Sequence, residues 1–187
     1  MTDDGAAVVD AIVLGMGPGG EQVAGDLADA GLDVVGVEAG LVGGECPYYG
    51  CIPTKIMVRA AGLLAEARRV DGVAGTTEVV SSWAPVAARI REATDDWSDT
   101  AAADRFEGKG GTLVRGAGKL VAADTVVVGD RRYRARSAVV VATGTSPSIP
   151  PIDGLDATPF WTNRDAVRAT ELPDSLIVLG GGAIGVE

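Results

Sequence analysis

Two groups of residues in this sequence have the types and spacing for chemistry: a cysteine pair and two glycine clusters. Cys46 and Cys51 stand with four residues between them in Gly43-Gly44-Glu45-Cys46-Pro47-Tyr48-Tyr49-Gly50-Cys51-Ile52-Pro53-Thr54-Lys55. With a helix opening near Pro53, its N-terminal amides and the Lys55 ammonium would favour thiolate over thiol, which suits reversible disulfide exchange. A structural staple or two inert thiols also fit this spacing. A short loop-closing disulfide gains little entropy, however, and nothing in the chain indicates secretion, so the redox reading is preferred.

The first glycine cluster is Gly15-Met16-Gly17-Pro18-Gly19-Gly20. Gly15, Gly17 and Gly20 form a GxGxxG pattern in which missing side chains let a backbone approach a pyrophosphate while a helix N-terminus attracts its charge. Alone the pattern is weak. Glu38 strengthens it, because it falls 23 residues after Gly15, where a carboxylate accepts hydrogen bonds from both hydroxyls of an adenosine ribose. A glutamate there also opposes a phosphate on that ribose. The bland alternative is a glycine turn with a surface glutamate.

These residues need elements to position them. The β-branched run Val8 to Leu14 predicts a buried parallel strand entering the turn. Val23, Ala24, Leu27 and Ala30 then recur at helical spacing, Gly31 supplies a stop, and Leu32 to Glu38 predicts a second strand, completing a βαβ unit. A second helix is expected from about Pro53, placed as a first-turn proline, to about Val70. A third should carry Val86, Ile90 and Trp97 on one face. From Thr112 to Val141 short β-type runs predict a small meander returning to the sheet. The proline-rich stretch Thr145-Ser146-Pro147-Ser148-Ile149-Pro150-Pro151-Ile152-Asp153-Gly154 reads as a linker. Ser175 to Leu179 predicts another parallel strand entering a second cluster, Gly180 to Gly182. A parallel strand needs a crossover before its neighbour can form, so the chain is expected to be a piece of a longer protein. Arg131, Arg132, Arg134 and Arg136 read as a solvated strand face, and Trp83 with Trp97 as core.

Composition narrows the function classes. The 187 residues include 47% hydrophobic and 22% charged, which excludes a disordered tail, and the absence of a Gly triplet period excludes a collagen-like chain. Glycine numbers 27, about twice its usual share of ~7%. A net charge of −10 opposes nucleic-acid binding. No apolar run reaches the roughly 18 residues of a membrane span and the N-terminus lacks a basic signal region, so a cytoplasmic location without membrane association is expected. With no histidine and two cysteines, the chain lacks the ligands for a zinc tetrahedron, and no metal site is expected.

The glycine turn with Glu38, the segment Gly43 to Lys55, the triplet Ala142-Thr143-Gly144 and the terminal Gly180-Gly181-Gly182-Ala183-Ile184-Gly185-Val186-Glu187 resemble, in this order, the FAD-dependent pyridine nucleotide-disulfide oxidoreductases. That family includes dihydrolipoamide dehydrogenase, glutathione reductase and mercuric reductase. The resemblance implies a Rossmann-like α/β FAD-binding domain over residues 1–150, with a parallel sheet and a β-meander, and the start of a second, NAD(P)-binding domain over 151–187. It implies that Gly15, Gly17, Pro18, Gly19, Gly20 and Glu38 hold the ADP half of FAD. Gly43, Gly44, Gly116, Ala117, Thr143 and Gly144 would line the rest, and Gly180, Gly182 and Gly185 would receive NAD(P)H. By the same resemblance Cys51 faces the flavin, Cys46 exchanges with substrate, and Lys55 lies near the flavin and pairs with Glu187. The implied activity passes electrons from NAD(P)H through FAD to a Cys46–Cys51 disulfide and on to a small-molecule or protein-bound disulfide, in a homodimer. A diaphorase or transhydrogenase with bystander cysteines, or a non-catalytic nucleotide-binding piece, are the alternatives. The chain departs from the common Thr-Cys-Leu-Asn-Val-Gly-Cys pattern in having Glu45 before Cys46 and Pro47-Tyr48-Tyr49 between the cysteines, which sets the usual disulfide substrates in question.

Overall fold

A computed structural model describes residues 5–187. They form two compact units, each made of two stretches of chain: 5–46 with 97–146, and 47–96 with 147–187.

The first unit is a mixed α/β layer built on six strands. β1 (Ala7–Leu14), β2 (Val34–Glu38) and β3 (Thr112–Arg115) run parallel, in register from Ala11↔Val34 to Leu14↔Val37 and from Val35↔Thr112 to Glu38↔Arg115. β4 (Gly118–Ala122), β5 (Thr125–Val128) and β6 (Arg131–Val141) form an antiparallel meander, and β6 returns parallel to β1. The spatial order is β3-β2-β1-β6-β5-β4. β3 therefore does not belong to the expected meander but forms the opposite edge of the sheet, next to β2. The sequence reads β1 and β2 well because Ile12, Val13, Val34 and Val35 are all buried, as neighbouring residues must be when both faces of a parallel strand are covered.

On one face Val9, Ile12, Leu14, Val35, Val37, Val114 and Val126 pack with Tyr133. On the other, α1 (Pro18–Asp29) and α5 (Thr100–Gly108) cover Val13, Met16 and Val34 with Ala24, Ala28, Ala102 and Phe106. Phe106 is 1% exposed and lies against Gly36, where an added Cβ would come within 3.0 Å of the ring. Helix α5 has no counterpart in the sequence reading above. Surface ion pairs Arg105–Glu21 and Lys109–Asp29 tie α5 to α1, each worth at most about 1 kcal/mol at exposed sites.

The second unit is mainly helical. A single turn, α2 (Glu45–Tyr48), leads into it, followed by α3 (Cys51–Ala67) and α4 (Ala84–Ala93). α3 starts two residues before the expected proline, so Pro53 is its third residue. This is tolerated because a first-turn residue needs no intrahelical N–H partner. α4 does not reach Trp97. Thr94 turns its hydroxyl back onto the Ile90 carbonyl at 2.9 Å, and Asp95, Asp96 and Trp97 then all take positive φ values of 49°, 50° and 60°, which ends the right-handed helix. Trp83 and Trp97 thus share no helical face; the Trp83 indole N–H instead donates to the Ala169 carbonyl at 2.8 Å.

Residues 142–162 contain no helix or strand. The short α6 (Asn163–Arg168) follows, begun by a capping box in which Asp165 accepts the Thr162 N–H at 2.8 Å and its hydroxyl at 2.7 Å. The Thr162 N–H, then its hydroxyl, hold the Asp165 carboxyl below its ordinary range. The expected strand at Ser175 to Leu179 is not formed. That apolar stretch has no strand to pair with in its unit among the described residues, and Ile177 is 85% exposed. It ends at α7 (Ala183–Val186).

Candidate dinucleotide and thiol sites

Each glycine of the first turn has a different physical job. Gly15 follows β1 with φ +96°, and a Cβ there would overlap the Ala142 carbonyl. That close approach arises because the Ala142 N–H extends the β1–β6 ladder onto the Leu14 carbonyl at 2.8 Å. Gly20 needs no positive φ, but its Cβ would strike the Gly15 carbonyl, so it sets how closely α1 packs on the turn. Gly17 and Gly19 are different: nothing lies within 4 Å of an added Cβ at either. Gly17 is the N-cap of α1 without a side-chain cap, and Pro18 at the first helical position contributes no N–H. The turn is therefore tight at its first and third glycines and open at its second. That matches the division of labour in a pyrophosphate-binding turn.

Glu38, at the end of β2, holds two backbone amides. Its Oε2 accepts the Met16 N–H and its Oε1 the Gly40 N–H, both at 2.7 Å. A carboxylate offers about four acceptor positions, so two remain open while the turn stays anchored. The Gly116 N–H donates to the Glu38 carbonyl at 2.8 Å, which brings Gly116 and the exposed Ala117 to the same strand end.

Gly43 and Gly44 close over the turn. The Gly43 N–H donates to the Met16 carbonyl at 2.7 Å, and Gly44, at φ +61°, would place a Cβ 2.8 Å from the Gly17 Cα. Sequence reasoning missed what holds this loop. Asp99 accepts the Val42 N–H at 2.7 Å and the Arg115 guanidinium at 2.5 Å, and Arg115 also donates to the Gly40 carbonyl at 3.0 Å. Burial raises the Asp99 carboxyl, but the Arg115 guanidinium and the Val42 N–H outweigh it and hold the group below its ordinary range. No local pattern announces this latch, since 57 residues separate Asp99 from Val42.

Thr143 and Gly144 directly follow β6, so Gly15, Gly17, Glu38, Gly116 and Thr143 all gather at the carboxyl ends of the parallel strands, where open α/β sheets bind ligands. The arginines of β6 lie elsewhere: Arg132 and Arg136 are exposed, alternating with buried Tyr133 and Ala135. Arg136 pairs with Asp10, which is held below its ordinary carboxylate range by the Asp33 N–H and then by that guanidinium.

The boundary between units falls after Cys46. Cys46 lies within α2 and is half-buried, whereas Cys51 opens α3 and is exposed. The chain already turns helically at Glu45, so Cys46 lies on a helical turn rather than on a loop. Lys55 lies one turn into α3 and is exposed, as is Glu187, and among the described residues no ion pair joins them. Of the two phenols, Tyr48 is buried and Tyr49 is held by side chains of α6.

The terminal glycines repeat the first turn. Gly180 has φ +108°, Gly182 is an extended N-cap at φ −75° and ψ 177°, and a Cβ at Gly185 would strike the Gly180 carbonyl. At the first turn Gly17 has φ −67° and ψ −177°.

The fold and site thus define an α/β protein with a dinucleotide-type glycine turn at the carboxyl edge of its sheet. The family described as pyridine nucleotide-disulphide oxidoreductase matches residues 9–187, and the chain belongs to it. It is 35% identical over 190 residues to a dihydrolipoyl dehydrogenase of Chlorobaculum tepidum, covering 97% of this chain and 40% of the relative. It is 32% identical over 183 residues to a mercuric reductase of Shigella flexneri, covering 92% of this chain and 32% of the relative. Among solved structures it resembles the HOCl-induced flavoprotein disulfide reductase RclA from Escherichia coli, with a TM-score of 0.75, 25% identity, and 95% and 38% of the two chains covered. The chain spans about a third to two-fifths of the length of these relatives. No helix among the described residues is long and apolar enough to cross a membrane.

Proposed function

We propose that this chain carries the FAD-binding part and the redox dithiol of a flavin-dependent NAD(P)H oxidoreductase that reduces a disulfide or a related acceptor. The observation that carries the reading is the turn at Gly15 to Gly20, tight at both ends and open at Gly17, beside a Glu38 carboxylate with acceptor positions to spare. In this reading residues 1–150 form the FAD domain and 151–187 begin the NAD(P)H domain. Bound FAD supplies a two-electron relay between NAD(P)H and the cysteine pair.

This chain's own groups do the holding. The open backbone at Gly17 and the N-terminus of α1 receive the pyrophosphate, and Glu38 accepts the ribose hydroxyls. Gly43, Gly44, Thr143 and Gly144 shape the walls of the site. Cys51, at the first position of α3, is the thiol on the flavin side, and Cys46 is the one that attacks the acceptor. In that exchange the Cys46 thiolate bonds to one sulfur of the acceptor disulfide and the other sulfur leaves as a thiolate. Cys51 then attacks Cys46, restoring the internal disulfide and releasing the second acceptor sulfur, which takes a proton. Lys55 and Glu187 keep their proposed place near the flavin, where an ammonium and a carboxylate would pair.

The test is spectroscopic. The purified protein should show oxidised-flavin absorbance, and two-electron reduction should raise a long-wavelength charge-transfer band that disappears in Cys51→Ser. Bound flavin with no such band would remove the dithiol from the mechanism. Glu45 before Cys46 and Pro47-Tyr48-Tyr49 between the cysteines also suit a diaphorase with bystander cysteines. That reading is favoured if Cys46→Ala leaves NAD(P)H oxidation by disulfide and quinone acceptors unchanged.

A further inference from the structure

The loop after Glu38 is held on both sides of one glycine. The Gly40 N–H donates to Glu38 Oε1 at 2.7 Å, and the Gly40 carbonyl accepts Arg115 Nη1 at 3.0 Å. The same nitrogen donates to Asp99 Oδ2 at 2.5 Å, and that oxygen also accepts the Val42 N–H at 2.7 Å. Residues 39–44 contain no helix or strand, so side chains must anchor the backbone that no ladder holds. Arg115 reaches Gly40 because it ends β3 directly opposite Glu38 in the parallel register. Asp99 is the N-cap residue of α5, where an aspartate ordinarily accepts the helix's own amides, yet its side chain makes no such bond. Its carboxylate serves the loop and Arg115 instead, with the Asp99 side chain only 13% exposed, which sets this pair apart from the surface ion pairs of the same unit.

We infer that Arg115 and Asp99 are positioning residues for the adenosine half of the flavin, fixing Gly40 and, through its amide, the Glu38 carboxylate. This rests on the reading of Glu38 as the acceptor for the ribose hydroxyls. A glutamate at a strand end can turn about all its side-chain bonds, and two amides stop it here: Met16 on Oε2 and Gly40 on Oε1. The Met16 amide belongs to the glycine turn, whereas the Gly40 amide is only as fixed as its loop. Without the guanidinium on the Gly40 carbonyl, or without the carboxylate that holds that guanidinium and the Val42 amide, Oε1 loses a fixed donor. The carboxylate must then be ordered when the ribose arrives, which weakens binding although no ligand contact has been removed. Arg115 Nη1 already serves two acceptors, so its role needs no contact with the ligand.

The experiment titrates the purified flavin-free protein with FAD by fluorescence, well below the melting temperature of each variant. Arg115→Met and Asp99→Asn should each weaken binding by about 3- to 10-fold. Arg115→Lys, which keeps a charged donor for both acceptors, should fall between wild type and Arg115→Met. Arg105→Met, which breaks a different ion pair of the same unit, should bind FAD as wild type does. The deciding measurement is a double-mutant cycle: once Glu38→Ala has removed the carboxylate, adding Arg115→Met should weaken binding little further, whereas a merely structural role would cost the same factor in both backgrounds. Asp99→Asn changes a single atom and takes the place of Arg115→Met in the cycle if the arginine variant does not fold. Equal factors in the two backgrounds, or full affinity in both single variants while Glu38→Ala binds weakly, overturn the positioning role alone. Weak binding by Arg115→Met with unchanged or tighter binding by Asp99→Asn overturns it too, since the guanidinium would then meet the ligand itself. Wild-type protein that takes up no FAD, or Glu38→Ala that binds it normally, overturns the ribose reading and this inference with it.

Discussion

At the residue scale, Glu38 has two jobs that substitutions can separate. Alanine removes the acceptor for the Met16 and Gly40 amides together with the proposed ribose contact. Hydrogen bonds to charged groups are worth about 1.5–3 kcal/mol, so Glu38→Ala should weaken flavin binding by roughly 10- to 150-fold in a fluorescence titration. Glu38→Gln, which keeps one acceptor oxygen, should fall between. Unchanged affinity in the alanine variant would remove Glu38 from the site. The glycines separate in the same way. Gly15→Ala forces a side chain into positive φ and into the Ala142 carbonyl, so it should lower the melting temperature. Gly17→Ala, in open space, should leave the melt unchanged yet weaken flavin binding. Both glycines stand out in the sequence by their spacing, but the difference between them does not, because it depends on where Ala142 lies.

Asp99 adds a pH dependence at the same scale. Its folded-state value lies below the usual 3.8, so its stabilisation is complete above that value and is lost as pH falls through the lower, folded value. Acid melts should show the loop at Val42 and the Arg115 contact loosening below about pH 4 in the wild type. Asp99→Asn, unable to charge, should flatten the dependence in that window and start from lower stability. Identical acid profiles for the two proteins would show that the latch contributes nothing.

At the element scale, α5 depends on one side chain. Phe106 is buried under α1 and β2, and large-to-small changes of this kind cost about 3–5 kcal/mol. Phe106→Ala should shift the denaturant midpoint of the first unit strongly, whereas Arg105→Ala, which breaks only the surface pair with Glu21, should shift it little. Equal shifts would mean that the ion pair, not the ring, docks the helix. α5 was illegible in the sequence because its buried face is Ala102, Ala103 and Phe106, too small a stripe to show a period. β1, β2 and α1 were legible because near-continuous apolar runs flank a glycine turn. The end of α4 was not, since it depends on three consecutive residues adopting positive φ.

At the scale of the whole molecule, a correct pattern produced a wrong element. Ser175 to Leu179 has the composition of a buried strand, but a strand exists only with a partner, and here the run is solvent-facing. Leu176, Ile177, Val178 and Leu179 are all exposed, as are Ile184 and Val186. A charge should therefore be tolerated at this position: Ile177→Lys should leave the melting temperature unchanged, and a clear drop would show that the run is packed rather than solvent-facing.

The recurrence of one backbone shape at Gly15 to Gly20 and at Gly180 to Gly185 has a consequence for how such turns are encoded. The first sits between an eight-residue strand and a twelve-residue helix; the second has no strand before it and only four helical residues after it. The two still share a positive-φ first glycine, an extended second glycine and a third glycine backed against the first one's carbonyl. The turn is thus written in a hexapeptide and does not wait for a sheet to impose it. What the sheet adds is aim, by fixing the direction in which an already shaped loop presents its amides.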